Sequence, residues 1–526
     1  MLKNIKIIFL LGIFLAAVFS CSLTEVEVKP LETSSTWLIK NALIYDGTGS
    51  DPYRGDIRIK AGVIAEVGAG SKGIIATRNN TAKEGEKIWD AKGMALSPGF
   101  IDPHSHHDSK LMEQPAPASL LAQGITTIVS GLDGSSSKFG SAYISIADNM
   151  AHFEQNPAAV NLGYFGPHNN YRSQVMGTDY KRPATDEEID RMGQLLTSDL
   201  EAGALGLSTG LEYEPALYSD TSEVIALARI AAAAGGKYAS HIRSEDVKVT
   251  EAFDEVFTIA REANIPANIS HIKLAMYALY GSSAEFINKL NSAREEGLDI
   301  TADIYPYDGW QSTLSILIPS RDYYDRAAAV YALGSIAAAS TIIFADYEGR
   351  PHYVGKTLEE IAIMENVDPV DLLMDLLQTA ERDDLHESII GRNIGGEDIE
   401  NFMKWPYTVI TTDGGVDGRH PRGQGSFARV LARYVREKGV LTLPEAIRKM
   451  TSLTASNLGL SHRGEISQGY AADIVVFDPE AIADHATFDD PLQYSTGVKA
   501  VWVNGELVWE NDKETGARPG QIVRRQ

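Results

Sequence analysis

The chain has 526 residues, 44% of them hydrophobic, and a formal net charge of -24 at pH 7. This length and apolar content allow one large core with smaller units attached, and the acidic balance excludes a nucleic-acid partner, whose phosphates are neutralised by Lys and Arg. A single cysteine excludes an internal disulfide or a thiolate-built metal site, so any metal must be held by His, Asp or Glu.

The chain opens with Lys3 and Lys6, an apolar run from Ile7 to Phe19, and Ser20-Cys21. That run is shorter than the about 20 apolar residues that span a bilayer, and its charged start and small-residue exit are those of a signal peptide. Residues 1–21 are therefore expected to lie outside the fold. Val18-Phe19-Ser20-Cys21 resembles a bacterial lipoprotein box. On that resemblance Cys21 is lipidated and the chain is exported to a bacterial cell envelope, periplasmic or outer-membrane; the alternative is an ordinary secretory signal with Cys21 incidental. Residues 22–36 are polar, with Glu25, Glu27, Pro30 and Glu32, and read as a tether that would hold the protein near a membrane surface.

Short strands follow. Trp37 to Ile39, Ala42 to Tyr45, Asp56 to Ile59 and Val63 to Val67 are apolar or alternating runs, with a tight turn at Lys60-Ala61-Gly62. The C-terminus has the same texture in Ala472 to Phe477 and Val498 to Trp509, where Asn504-Gly505 signals a type I′ hairpin. Residues 37–97 and 465–526 are expected to build one small β domain together.

Between them, residues 98–464 hold eight short apolar runs that end in polar or Gly residues: Phe100 to His104, Ile125 to Ser130, Val160 to Phe165, Leu205 to Thr209, Tyr238 to His241, Ala267 to His271, Ile300 to Tyr305 and Thr408 to Asp413. Helically spaced segments such as Ala252 to Ala263 separate them. Eight strands alternating with helices imply an α/β fold, the (β/α)8 TIM barrel, with its active site at the C-terminal strand ends. The gap before the eighth run is about 100 residues, far more than a crossover needs, so residues 314–404 are expected to form an inserted lid subdomain over the barrel mouth.

The residues that end these runs carry the chemistry. His104 and His106, in Pro98-Gly99-Phe100-Ile101-Asp102-Pro103-His104-Ser105-His106-His107-Asp108, are two apart and face one side of an extended segment. Alone, the pair reads either as two metal ligands or as a chance His-rich turn. His241 ends the fifth run, His271 the sixth and Asp413 the eighth. One strand-end His is usually a hydrogen-bonded structural residue; five such groups on one rim point to a His/Asp centre for a divalent metal such as zinc.

The chain resembles the amidohydrolase superfamily, and within it the N-acyl-D-amino-acid deacylase (D-aminoacylase) family, from Trp37 to Arg525. Besides the His pair, the matching blocks are Gly203 to Leu211, His241-Ile242-Arg243-Ser244-Glu245, Ile269-Ser270-His271-Ile272-Lys273, Asp303-Ile304-Tyr305-Pro306-Tyr307, His420-Pro421-Arg422 and Met450 to Asp473. The resemblance implies that His241 and His271 hold a tight zinc and that His104 and His106 serve a second, weaker metal position. It further implies that Asp413 touches the metal and handles the proton of the attacking water, and that Lys273, Tyr305 and Arg422 grip a substrate α-carboxylate. Ser312 would add a contact, although its spacing from Tyr305 is off by one. His168 falls in a family segment open to either packing or substrate contact. In the family the second strand ends Gly-Asn-Cys-Gly with a ligand cysteine, and here it reads Gly131-Leu132-Asp133-Gly134. Asp133 is the expected replacement ligand; as a harder donor it widens the choice of metal beyond zinc.

The implied reaction is metal-assisted hydrolysis of the amide of N-acyl-D-amino acids, or of dipeptides with a C-terminal D-residue, with one or two Zn2+ per chain. The preference for D comes from the resemblance alone. Two alternatives remain. A cyclic-amide hydrolase of hydantoinase or dihydroorotase type would typically use a carboxylated lysine after the fourth strand, where this chain has Leu207-Ser208-Thr209. A non-catalytic ligand-binding lipoprotein would not need all of His104, His106, His241, His271 and Asp413.

Overall fold

The computed structural model describes residues 35–69, 81–136 and 145–525. The signal segment, Cys21 and nearly all of the tether lie outside these residues. Among the described residues no helix is long and apolar enough to cross a membrane.

Both chain ends meet in one nine-stranded sheet. Its N-terminal half includes Trp37–Ile44, Tyr53–Lys60, Val63–Ala69 and Ala95–Pro98, and its C-terminal half Ile474–Phe477, Val498–Val503 and Glu506–Glu510. The halves join where Ile474–Phe477 runs antiparallel to Ala95–Pro98. Asn504 and Gly505 have φ of 46° and 81°, the positive values a type I′ turn requires, and Val503 pairs with Glu506 across them. The strand Ile474–Phe477 is buried on both faces. Ile474 and Val476 enter a core with Trp37, Ile57 and Trp502, while Val475 and Phe477 enter the large barrel core, which accounts for its unbroken apolar run.

This sheet feeds straight into the barrel. The Gly99 amide donates to Asp473 O at 2.8 Å, and a Cβ at Gly99 would sit 2.2 Å from Thr126 Cγ2, so only glycine passes there. The barrel strands are Phe100–Asp102, Ile125–Ser130, Asn161–Tyr164 continued by Gly166–Pro167, Gly206–Gly210, Lys237–His241, Ala267–Ile269, Ile300–Ile304 and Thr408–Ile410. They pair in parallel as a three-stranded and a six-stranded sheet that part within the third strand. The first and eighth strands close the ring through side chains. Asp102 accepts hydrogen bonds from Thr411 Oγ1, Thr412 N and Thr412 Oγ1 at 2.7, 3.0 and 2.5 Å, and the Asp413 amide donates to His104 O at 2.9 Å. Two site residues are thereby fixed to one another. At the other end Ile101, Val129, Phe165, Leu205 and Ala239 cluster with Leu458 and Leu460, so the barrel is packed rather than hollow.

The long segment after the seventh strand forms its own small unit. Trp310–Ser312, Ile342–Tyr347 and Glu387–Gly391 make an antiparallel sheet accompanied by helices Arg326–Tyr331, Leu358–Glu365 and Pro369–Asp383. The helix Gly396–Lys404 serves the barrel instead: its Asp398 carboxylate accepts from the Gly281 and Ser283 amides at the start of the helix Ser283–Glu295. The sheet of the inserted unit therefore starts slightly before residue 314 and its last strand ends at Gly391.

Candidate metal centre and substrate cavity

The strand-end side chains converge as the spacing predicts: His241 is the last residue of its strand, and His104, Asp133, His271 and Asp413 lie just past theirs. Asp133, His271 and Asp413 have φ of 52°, 36° and 47°. A left-handed residue is uncommon for anything but glycine and concentrates at functional sites; here it turns three side chains off the strand direction toward one another. Close backbone packing supports the bend at Asp133, since a Cβ on Gly210 would lie 2.2 Å from Asp133 O.

Asp133 stands at the middle. Its Oδ2 is 3.3 Å from His104 Nε2 and 3.6 Å from His106 Nε2, and its Oδ1 is 3.3 Å from His271 Nε2. Asp413 Oδ1 lies opposite, 3.6 Å from His104 Nε2 and 3.3 Å from His106 Nε2. His241 Nδ1 is 3.0 Å from His271 Nε2. Donor atoms of His104, Asp133, His271 and Asp413 all lie within 4.8 Å of one another, and so do those of His241, Glu245 and His271. Neither ring nitrogen of fully buried His104, nor Asp133 Oδ1, makes a hydrogen bond. Buried polar atoms normally find partners, and a set of imidazole nitrogens and carboxylate oxygens suits a divalent cation. The residues present fit a metal ion.

The electrostatics agree. Burial would lower the His106 and His271 pKa values, yet the surrounding carboxylates, Asp133 and Asp413 with Glu245 beside His271, raise both to about 9. Burial would raise Asp413, yet Arg422, His271 and His104 hold it well below the usual carboxylate range. The pocket thus favours positive charge, as a proton or as a metal competing with it.

A cavity of about 920 Å3 opens above these groups. Lys273 and Arg422 line it, both buried. Lys273 Nζ donates to Glu245 Oε1 at 2.5 Å, and Arg422 Nη1 donates to Asp413 Oδ2 at 2.6 Å. The Tyr305 ring lies near both cations, 5.7 Å from Lys273 Nζ and 4.9 Å from the Arg422 guanidinium carbon. The Tyr305 hydroxyl and Arg422 Nε make no hydrogen bond within the protein. Ser312, on the inserted sheet, lines the cavity and donates to Tyr213 Oη at 3.4 Å. His168 packs elsewhere: it is buried against Glu223, with Nε2 2.8 Å from Oε1, and is not among the cavity-lining residues.

Three carboxylates around the histidines were not singled out in the sequence. Asp303 Oδ1 is 3.6 Å from His104 Nδ1, Glu212 Oε2 is 3.0 Å from His241 Nε2, and Glu245 Oε1 is 3.0 Å from His271 Nδ1. Asp303 and Glu245 sit inside recognised blocks, and that was their only signal; Glu212 lies just beyond one.

The amidohydrolase family model matches residues 87–307 and 354–509. A D-aminoacylase of Alcaligenes xylosoxydans xylosoxydans is 32% identical over 507 residues, covering 93% of this chain and 97% of the relative. A D-aminoacylase structure with a binuclear metal centre superposes with a TM-score of 0.82 at 31% identity, covering 93% of this chain and 99% of that one. The N-acyl-D-glutamate deacylase of Bordetella bronchiseptica, in complex with zinc and a phosphonate mimic of the tetrahedral intermediate, also gives 0.82 at 31% identity, covering 94% of this chain and all of that one. The packed (β/α)8 barrel, the His/Asp rim and these matches agree, and the chain belongs to the amidohydrolase superfamily, in its D-aminoacylase branch.

Proposed function

We propose that this protein hydrolyses the amide of N-acyl-D-amino acids, or of dipeptides ending in a D-residue, at the rim of its barrel. The observation that carries the reading is Arg422. One buried guanidinium that lines the cavity touches the strand-eight carboxylate Asp413 and lies near the buried Tyr305 ring, which Lys273, another lining residue, also approaches; this supports a proton-handling group beside a carboxylate clamp, with Tyr305 behind the two cations rather than on the cavity wall. Such a clamp selects substrates with a free α-carboxylate next to the released nitrogen and rejects internal peptide bonds. The D preference rests on the relatives.

His104, His106, Asp133, His241, His271 and Asp413 would hold one or two divalent cations. When bound, such an ion polarises the scissile carbonyl and makes water acidic enough to attack near neutral pH. Asp413 Oδ1 faces the histidines while Oδ2 is held by Arg422, so it is aimed to take the proton of the attacking water and return it to the leaving amine. Trp310, Leu317 and Val354 of the inserted unit line the cavity beside these groups, which supports a lid that excludes water. Zinc is the favoured ion on the relatives, and the all-nitrogen-and-oxygen donor set admits other divalent metals. Lys3 and Lys6 ahead of the apolar run, and Cys21 after it, support export and lipid anchoring in a cell envelope; labelling with a radioactive fatty acid, lost in Cys21→Ala, tests this.

A panel of N-acetyl-D-amino acids, their L-enantiomers, L-Xaa-D-Xaa dipeptides and hydantoins tests the function. Release of D-amino acids is expected to dominate, and faster opening of hydantoins would refute the reading.

A further inference from the structure

Glu212 follows the fourth barrel strand by two residues, is 7% exposed, and places Oε2 3.0 Å from His241 Nε2. An ionised carboxylate only accepts hydrogen bonds, so His241 Nε2 must carry the hydrogen, and a neutral ring then keeps its lone pair on Nδ1. That nitrogen points at His271 Nε2, 3.0 Å away. On its other side His271 Nδ1 lies 3.0 Å from Glu245 Oε1. Lys273 Nζ, which carries three hydrogens, is also close to that nitrogen, at 2.8 Å, and donates to Glu245 Oε1 at 2.5 Å. Glu212 therefore turns the His241 lone pair toward a buried point that His271 Nε2 also approaches, with Asp133 Oδ1 3.3 Å from His271 Nε2. The Tyr213 ring packs beside that of His241, centroids 4.3 Å apart and tilted by 41°.

We propose that Glu212 is a positioning residue: it fixes the tautomer and orientation of His241 so that Nδ1 is presented to the metal. His241 stands between Glu212 and the cation point, so Glu212 acts through the ring. Carboxylates placed behind ligand histidines orient them and raise their basicity, and their loss typically costs 10–100-fold in metal affinity. The inference rests on the metal-binding half of the proposed function and not on the substrate.

The test is zinc affinity of the full chain, stripped of metal and titrated against a chromophoric chelator. Glu212→Gln, which keeps the size but can present either an acceptor or a donor, is expected to weaken zinc by roughly 10–100-fold, with the melting temperature of the metal-free protein unchanged and the reaction rate restored by excess zinc. Glu212→Asp, which keeps an obligate acceptor, is expected to lose less. Zinc affinity within twofold of wild type in Glu212→Gln overturns the inference. So does an equal loss in both variants accompanied by a lower melting temperature, which would mark a structural role. Should Glu212→Gln not fold, Glu212→Asp decides: affinity within twofold of wild type in a folded variant supports the inference, and a tenfold or larger loss that excess zinc does not rescue overturns it. Zinc binding without release of D-amino acids would refute the deacylase reading alone.

Discussion

Arg422 has two tasks in the proposed mechanism, and one substitution separates them. Its Nη1 holds Asp413 at 2.6 Å while Nε, buried, makes no hydrogen bond within the protein. Replacing it in Arg422→Met removes both. A hydrogen bond to a charged group contributes about 1.5–3 kcal/mol, which at about 1.4 kcal/mol per decade corresponds to roughly 10- to 150-fold in kcat/KM for the lost substrate contact. Any loss through Asp413 applies to every substrate alike. The assay compares an N-acetyl-D-amino acid with its α-carboxamide, which lacks the carboxylate. Wild type is expected to favour the acid, and the variant to lose that preference by the factor above. If both substrates slow by the same factor and the preference survives, Arg422 does not clamp the carboxylate and acts only on Asp413.

Asp413→Asn should lower kcat by about 10²–10⁴-fold, the usual scale of general acid–base catalysis, in a protein whose circular dichroism is unchanged; a loss under tenfold would count against the role. Asp133→Cys restores the ligand type of the family and is expected to retain metal while shifting selectivity from manganese toward zinc, read by metal analysis after growth in each ion; unchanged selectivity would show that Asp133 is not a ligand. Glu387, in the inserted sheet, is pushed up to about 7 by burial, against the opposing Leu314 and Ser315 amides. A folded pKa above the unfolded 4.5 means that stability is intact below about pH 4.5 and declines as pH rises to about 7. At about 1.4 kcal/mol per pH unit the decline is at most about 3–4 kcal/mol. Glu387→Gln should therefore match wild type near pH 4.5 and exceed it at pH 8 in urea unfolding, and an equal gap at both pH values would refute this.

Periodicity and turn chemistry are local properties, so several elements are legible without coordinates. Asn504-Gly505 takes the hairpin geometry its residues favour, and the eight apolar runs become eight strands. His241, His271 and Asp413 are legible because each ends an apolar run, which in a barrel means the active rim. His168, beside its own strand end, shows the limit of that rule: Glu223 and Arg172 bury it as a packing residue. Glu212 and Asp303 were missed because their roles depend on which nitrogen of a histidine they face across neighbouring strands, and no spacing within one segment encodes this. The helix Gly396–Lys404 shares the pattern of the insertion's helices, and only its contact with Gly281 and Ser283 assigns it to the barrel.

The sequence alone determined the element types, the barrel and most of the His and Asp side chains that meet at its rim, because burial patterns and donor chemistry are written residue by residue. The tertiary structure decided how those groups serve. The left-handed backbone at Asp133, His271 and Asp413 is imposed by neighbouring strands and aims three side chains at one place. The salt bridge from Arg422 to Asp413 joins the proposed substrate clamp to the proposed proton carrier within one loop. The carboxylates behind His104, His241 and His271 come from other strands or their exits, so the carboxylate each ring faces is set by contacts that exist only once the barrel has closed.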